Sequence, residues 1–252
     1  MPETIPHCAS SYDEIAGMYH ALWADWYLPA AMPALERLFF ARVPKHARVL
    51  DLCCGSGHVT KELVARGYDV TGIDNSAELI TIARRELPGI DLRVQDARYL
   101  DFNCHFDAVL STFDSLNHLL SLEDLRLVFN GVRRTLKNDG LFFFDMNLAE
   151  AYSADLHQWA VDLSDDNVSM VRGTYYPGSG KARTELIWFV RCGPGNSWQR
   201  RQTVVEQQCY SLEQILLTLS ESGFRKVETI PAKDAEVTSE LGFGRVYFVA
   251  QP

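Results

Sequence analysis

The 252-residue chain is short of positive charge. Lys and Arg number 24 against 33 Asp and Glu, giving a net charge of -9 and a pI of about 5.3. It holds no run of Lys or Arg, which argues against nucleic acid or an anionic membrane surface as a partner. No stretch reaches the roughly 18 apolar residues that a membrane span needs. The first residues, MPETIPHCASSYDEIAG, lack the apolar centre of a signal peptide. Among six cysteines only Cys53 and Cys54 are close in sequence, and Cys-x-x-Cys is absent. A reduced, cytoplasmic setting is the expectation. The seven histidines include no His-Glu-x-x-His pattern, so no metal site is expected. Repeats, low-complexity tracts and long linkers are also missing.

What is present is ordinary globular composition, 47% hydrophobic and 23% charged, with strands alternating regularly with helices. VLDLC leads into HVTKELVARG, and YDVTGID into a helix capped by Ser76. DLRVQDA and FDAVLST follow as third and fourth strands. A helix from Ser121 through Leu136 turns at Asn138-Asp139-Gly140 into LFFFDM. That rhythm predicts a doubly wound α/β fold with a mostly parallel sheet, which two closing strands (Phe224–Ile230 and Arg245–Ala250) bring to seven. After Asn147 the pattern changes. Val168–Tyr176, Arg183–Arg191 and Trp198–Tyr210 are β-rich, with a turn at Pro177-Gly178-Ser179-Gly180. The expected division is a helical lid over 1–45, a Rossmann-like core over 46–150 and 205–252, and an antiparallel β insertion over 151–204. Residues 11–43 are helical and aromatic (Tyr12, Tyr19, Trp23, Trp26, Tyr27). They suit either a packing helix or a lid.

Ligands of such sheets bind at the carboxyl ends of the strands, where strand order reverses. The first strand ends in Asp51 and the turn Cys53-Cys54-Gly55-Ser56-Gly57. Glycine there lets a ligand approach the backbone. Thr60 stands where the dinucleotide fingerprint has its third glycine, and no Lys or Arg in the turn meets a phosphate. Asp74, 17 residues beyond Gly57 (74 − 57), suits ribose hydroxyls. Asp96-Ala97 ends the third strand and Ser111-Thr112 the fourth. Acids at successive strand ends favour a ligand with a ribose, an amine and a cationic end over a polyphosphate.

DLCCGSG, the following Asp74 and the pair Asp96-Ala97 resemble the class I S-adenosylmethionine-dependent methyltransferases. YDEIAGMY, FDSLNHL and the β insertion are similar to a small-molecule branch containing sugar N,N-dimethyltransferases and glycine N-methyltransferase-like proteins. The resemblance implies S-adenosyl-L-methionine as cofactor. Cys53, Cys54, Gly55, Ser56 and Gly57 would wrap its amino-acid end with Asp51 nearby, and Asp74 would hold the ribose. Asn75 and Leu79 would flank the adenine, and Asp96 with Ala97 would read its amine. Ser111 or Thr112 would face the ammonium. Tyr12 and Tyr19 would close over the sulfonium. His118 would act as base, or else bind substrate or cap the next helix. Asn117, Arg172, Tyr175 and Tyr176, with Trp159, would line the acceptor site. The implied activity is methyl transfer (EC 2.1.1) to a small molecule, amine before hydroxyl, by a monomer or homodimer. The alternatives are a cofactor-binding protein without catalysis and a nicotinamide-dependent oxidoreductase.

Overall fold

The computed structural model describes residues 10–102, 105–153, 159–163, 167–192, 197–237 and 240–252. The N-terminal segment is a composite helix. A short 3-10 turn at Asp13–Ile15 leads into α1 (Ala16–Met18) and α2 (Ala24–Leu35), and π-helical turns at Tyr19–Trp23 and Glu36–Phe40 join and extend them. Pro29 and Pro33 lie inside α2, each removing a ladder donor. The chain then alternates: β1 (Arg48–Leu52), α3 (His58–Ala65), β2 (Asp69–Asp74), α4 (Ala77–Glu86), β3 (Asp91–Val94), β4 (Phe106–Ser111), α5 (Leu122–Thr135) and β5 (Leu136–Asn147). After α6 (Ala149–Ser153) come β6 (Ala160–Leu163), β7 (Asn167–Tyr176), β8 (Lys181–Arg191) and β9 (Trp198–Gln208). The chain closes with α7 (Leu212–Glu221), β10 (Lys226–Pro231) and β11 (Arg245–Gln251).

The first sheet has seven strands in the order β10-β11-β5-β4-β1-β2-β3. Only β11 runs antiparallel to its neighbours β5 and β10. β1 lies between β2 and β4 and is buried on both faces except at Arg48, which is why its sequence is a nearly unbroken apolar run. Strand order reverses at β1/β4, so Asp51, the glycine turn and Ser111-Thr112 meet at one switch point.

Local chemistry accounts for the ends of the elements. Ser76, Ser121 and Ser211 each accept from a backbone amide three residues on, Ser211 in a full capping box with Gln214. Gly67 takes φ +87° just past α3, the left-handed cap its position predicts. One boundary moves. Asn138-Asp139-Gly140 is not a free turn, because β5 already begins at Leu136 and its pairing with β4 shifts register between Phe106 and Ala108.

One face of the large sheet is covered by α2 and α3, where Tyr27, Leu35 and Phe39 pack on Val49, Phe143 and Tyr247. The other face takes α5 and α7 through Phe129, Val132, Ile215 and Leu219. The second sheet is antiparallel in the order β6-β7-β8-β9. It has one strand more than the sequence pattern shows, since every residue of β6 is exposed and no alternation marks it. Leu186, Trp188 and Val205 of this sheet pack on Ile15 and Met18. The N-terminal turns therefore lie between the two sheets, above the switch point.

Candidate functional site

The site begins with a carboxyl inside a strand. Asp51 is 1% exposed and accepts a 2.6 Å hydrogen bond from the Thr60 hydroxyl. Burial first, and Asp74 in addition, push its carboxyl up to about 7 against the pull of Thr60. Asp74 ends β2 with one oxygen accepting from the Gly55 amide at 2.9 Å and the other from the Ser76 amide at 2.8 Å. It too is raised by burial, to about 6, those amides working the other way. The acid expected to hold a ribose thus also shapes the glycine turn.

The turn itself is tightly wound. Cys53, Gly55 and Gly57 take φ of +61°, +56° and +88°. A Cβ on Gly55 would lie 3.1 Å from the Tyr19 ring, so glycine lets that ring approach the turn this closely. Burial raises both the Cys53 and Cys54 thiols, helped by nearby acids, which suits small packing groups and not nucleophiles. A cavity of about 20 Å³ beside the turn is lined by Asp51, Cys53, Ser56, His58, Thr112 and Tyr19, among others. That is room for about one water.

Above the turn lies a hydrogen-bonded chain. The Tyr12 hydroxyl is 3.0 Å from His118 Nε2, and Gln207 Nε2 lies 3.2 Å from the same nitrogen. His118 Nδ1 is 3.1 Å from the Glu206 carbonyl. A carbonyl only accepts, so Nδ1 carries the proton and Nε2 presents a lone pair. Burial lowers the imidazole's pKa, partly opposed by Asp114, which keeps it neutral near pH 7. Gln207 also donates to Asp114 at 2.6 Å. Asp114 is paired with Arg245 at 2.6 Å, and Arg245 also pairs with Asp145. Although burial opposes it, Arg245 holds the Asp114 carboxyl below its usual range. Phe113 and Asp114 both take positive φ, +62° and +45°. The Tyr27 hydroxyl accepts from the Phe113 amide at 2.9 Å, and Asp145 accepts from the Asp114 amide at 3.0 Å. Strained backbone held this firmly is typical of functional loops.

The family described as Methyltransferase domain matches residues 49–140, the stretch from β1 into β5. A protein of Geobacillus sp. (strain WCH70) assigned to the methyltransferases is 32% identical over 211 residues, covering 81% of this chain and 84% of its own. The chain belongs to the class I S-adenosylmethionine-dependent methyltransferases. Among solved structures, an S-adenosylmethionine-dependent methyltransferase from Clostridium acetobutylicum ATCC 824 superposes with a TM-score of 0.79 at 22% identity, covering 96% of this chain and 99% of that one. A dTDP-3-amino-3,4,6-trideoxy-alpha-D-glucopyranose N,N-dimethyltransferase from Streptomyces venezuelae is 27% identical over 165 residues, covering 62% of this chain and 65% of its own.

The methyltransferase brings most of the residues singled out from its sequence to one place, and others lie apart from it. Tyr12, Tyr19, Asp51, Cys53 to Gly57, Asp74, Ser111, Thr112 and His118 converge at the switch point. Ala97 and Leu79 are buried, and Asn75 is exposed beside them. The Asp96 carboxylate is gripped by Arg98 at 2.6 Å, and Arg98 reaches on to Asp124 at 3.0 Å, so an adenine amine would share that acid. Four acceptor-site expectations meet other geometry. Asn117 is fully buried and spends both amide hydrogens on the Asn147 and Gln208 carbonyls, at 3.1 and 2.9 Å. Its oxygen accepts from the Asn147 amide at 2.9 Å. It clasps β5 to β9 and has no N–H left for a substrate. Arg172 pairs with Glu185 across the second sheet and lies over Trp159. Tyr175 stacks on Tyr152 at 5.6 Å, and Tyr176 is 49% exposed beside the β7–β8 turn. The sequence reading missed Gln207, Asp145 and Arg245, and it quoted Asp114 within FDSLNHL without giving it a role. Arg245 and Asp114 are 131 residues apart, and no motif spacing links them.

Proposed function

We propose that this methyltransferase moves a methyl group from S-adenosylmethionine to the nitrogen of a small-molecule amine. The observation that carries the reading is the state of His118: neutral, with Nε2 accepting from Gln207 beside the Tyr12 hydroxyl and an acid two hydrogen bonds behind it. The residues at the switch point fit the cofactor. Gly55 puts no side chain between the turn backbone and the covering Tyr19 ring. Asp74 retains lone pairs for ribose hydroxyls beyond those it gives to two amides. The adenine would lie between Asn75, Leu79 and the Asp96-Ala97 pair. Ser111 or Thr112 would face the ammonium, and Tyr12 and Tyr19 would cover the sulfonium.

When bound, the cofactor supplies an electrophilic methyl group, so the protein's task is to place the acceptor and exclude water. Tyr12 and Tyr19, packed edge to face at 5.6 Å, close the site. His118 Nε2 takes the proton of an acceptor that enters as an ammonium, and the Asp114 carboxylate stabilises the imidazolium that forms. That arrangement favours an amine over a hydroxyl, whose proton is far less acidic. The kinship with a sugar N,N-dimethyltransferase points the same way. The net negative charge and the lack of basic runs suit a small acceptor better than nucleic acid.

His118→Asn tests the base directly. It is expected to lower kcat by about 100-fold, within the usual range for general-base catalysis, with KM changing little. A loss confined to KM would assign His118 to substrate binding alone.

A further inference from the structure

Two histidines beside the glycine turn have no part in the scheme above. His58 opens α3 directly after Gly57, lines the cavity, and places Nδ1 3.1 Å from the Ser56 hydroxyl. His20 comes from the π-helical turn Tyr19–Trp23 of the covering segment, a form of helix that recurs at functional sites. The two rings lie 4.9 Å apart, inclined at 57°. His20 Nδ1 is buried and has no hydrogen-bond partner among the described residues. Burying an imidazole nitrogen unsatisfied is costly, and a native structure that does so calls for a reason.

The chemistry of the surroundings supplies one. The amino-acid end of the cofactor is a zwitterion, with an ammonium and a carboxylate. The acids Asp51 and Asp74 and the carbonyls ending β4 suit the ammonium and repel the carboxylate. Yet residues 10–36 and 49–60, which form the covering segment and the turn, contain no Lys or Arg. The histidine pair supplies the missing donors beside the turn.

We infer that His20 and His58, with the Ser56 hydroxyl, form the clamp for the carboxylate of the cofactor's amino-acid end. The inference rests on the cofactor reading above and adds residues to it. The clamp would join the covering segment, which carries His20, to α3, which carries His58.

Calorimetric titration of S-adenosylmethionine against its decarboxylated form, which lacks only the carboxylate, tests the clamp. The wild-type chain should bind the intact cofactor about 10- to 100-fold more tightly, the range of a charge-assisted hydrogen bond. In His58→Gln, and in His20→Phe, which keeps the ring contact, most of that preference should vanish. Affinity for the decarboxylated form should stay within about 2-fold. Equal affinity of the wild-type chain for both ligands would overturn the clamp without any variant, and so would a parallel loss of both in the variants. If the wild-type chain binds neither, the cofactor reading fails, and the clamp with it.

Discussion

Asp51 shows how one residue can be visible in a sequence and still be half understood. Its carboxyl sits within a buried strand, a placement that requires a partner. Thr60 is that partner, at 2.6 Å. In the sequence, Thr60 stands out only as a glycine missing from the dinucleotide fingerprint; in the fold it has a positive role. The raised pKa has a consequence for stability. The folded value of about 7 lies above the unfolded carboxylate range near 3.9. The native chain therefore binds the extra proton between those values. The contribution to stability is full below about pH 3.9 and is lost as pH rises through about 7. Asp51→Asn removes this term, so the melting temperature of the wild-type chain relative to the variant should fall between pH 4 and pH 8. A constant difference across that range would contradict the assignment. The position of Asp74 at the end of β2 was legible from the strand pattern, but its grip on the Gly55 amide was not, since nothing in a sequence reports which way a carboxylate turns.

At the scale of elements, the N-terminal segment packs against the sheet and also borders the glycine turn. Tyr27, Leu35 and Phe39 of α2 and the π-helical turn after it are core, while Tyr12 and Tyr19 face the site. A single aromatic helical pattern hides that division because packing and lid residues are equally apolar. The outer part is latched by Asp13, whose Oδ1 accepts from the Ser76 hydroxyl at 2.6 Å, while Ser76 itself caps α4. Asp13→Ala should loosen the latch. Hydrogen exchange of amides in Tyr12–Trp23 is expected to quicken by roughly tenfold, the effect of losing about 1.4 kcal/mol of local stability, while β1 to β5 stay protected. Unchanged exchange in that segment would show that the latch does not hold it. In the second sheet, strands β7 to β9 were legible from turn and β-branched signals. β6 was not, because exposed edge strands carry little pattern.

Over the whole molecule, Arg245 ties distant parts together. It pairs with Asp114 after β4 and with Asp145 in β5, and its Nε donates to the Leu241 carbonyl at 3.0 Å. Tyr27 of α2 donates to the same Asp145 at 3.3 Å. The cluster joins the covering helices, the sheet and the loop that carries His118. The doubly wound, mostly parallel sheet was readable from alternation and turn chemistry. This cluster was not, because its members meet only after the sheet has formed. Arg245→Met leaves two buried carboxylates without a counter-ion and should cost about 3–5 kcal/mol, or a drop of about 10 °C in Tm. Adding Asp114→Asn and Asp145→Asn should recover much of that loss. A single variant that melts like wild type would show that the charges are not the link.

The central claim is methyl transfer to a small-molecule nitrogen. Its most direct test incubates the full chain with S-adenosylmethionine labelled in the methyl group and a panel of amino sugars and other small amines, then locates the label by mass spectrometry. The account predicts an N-methylated product, one molecule of S-adenosylhomocysteine for each methyl group moved, and no label on hydroxyl-only acceptors. Label found only on oxygen, or tight cofactor binding with no transfer to any amine, would contradict it.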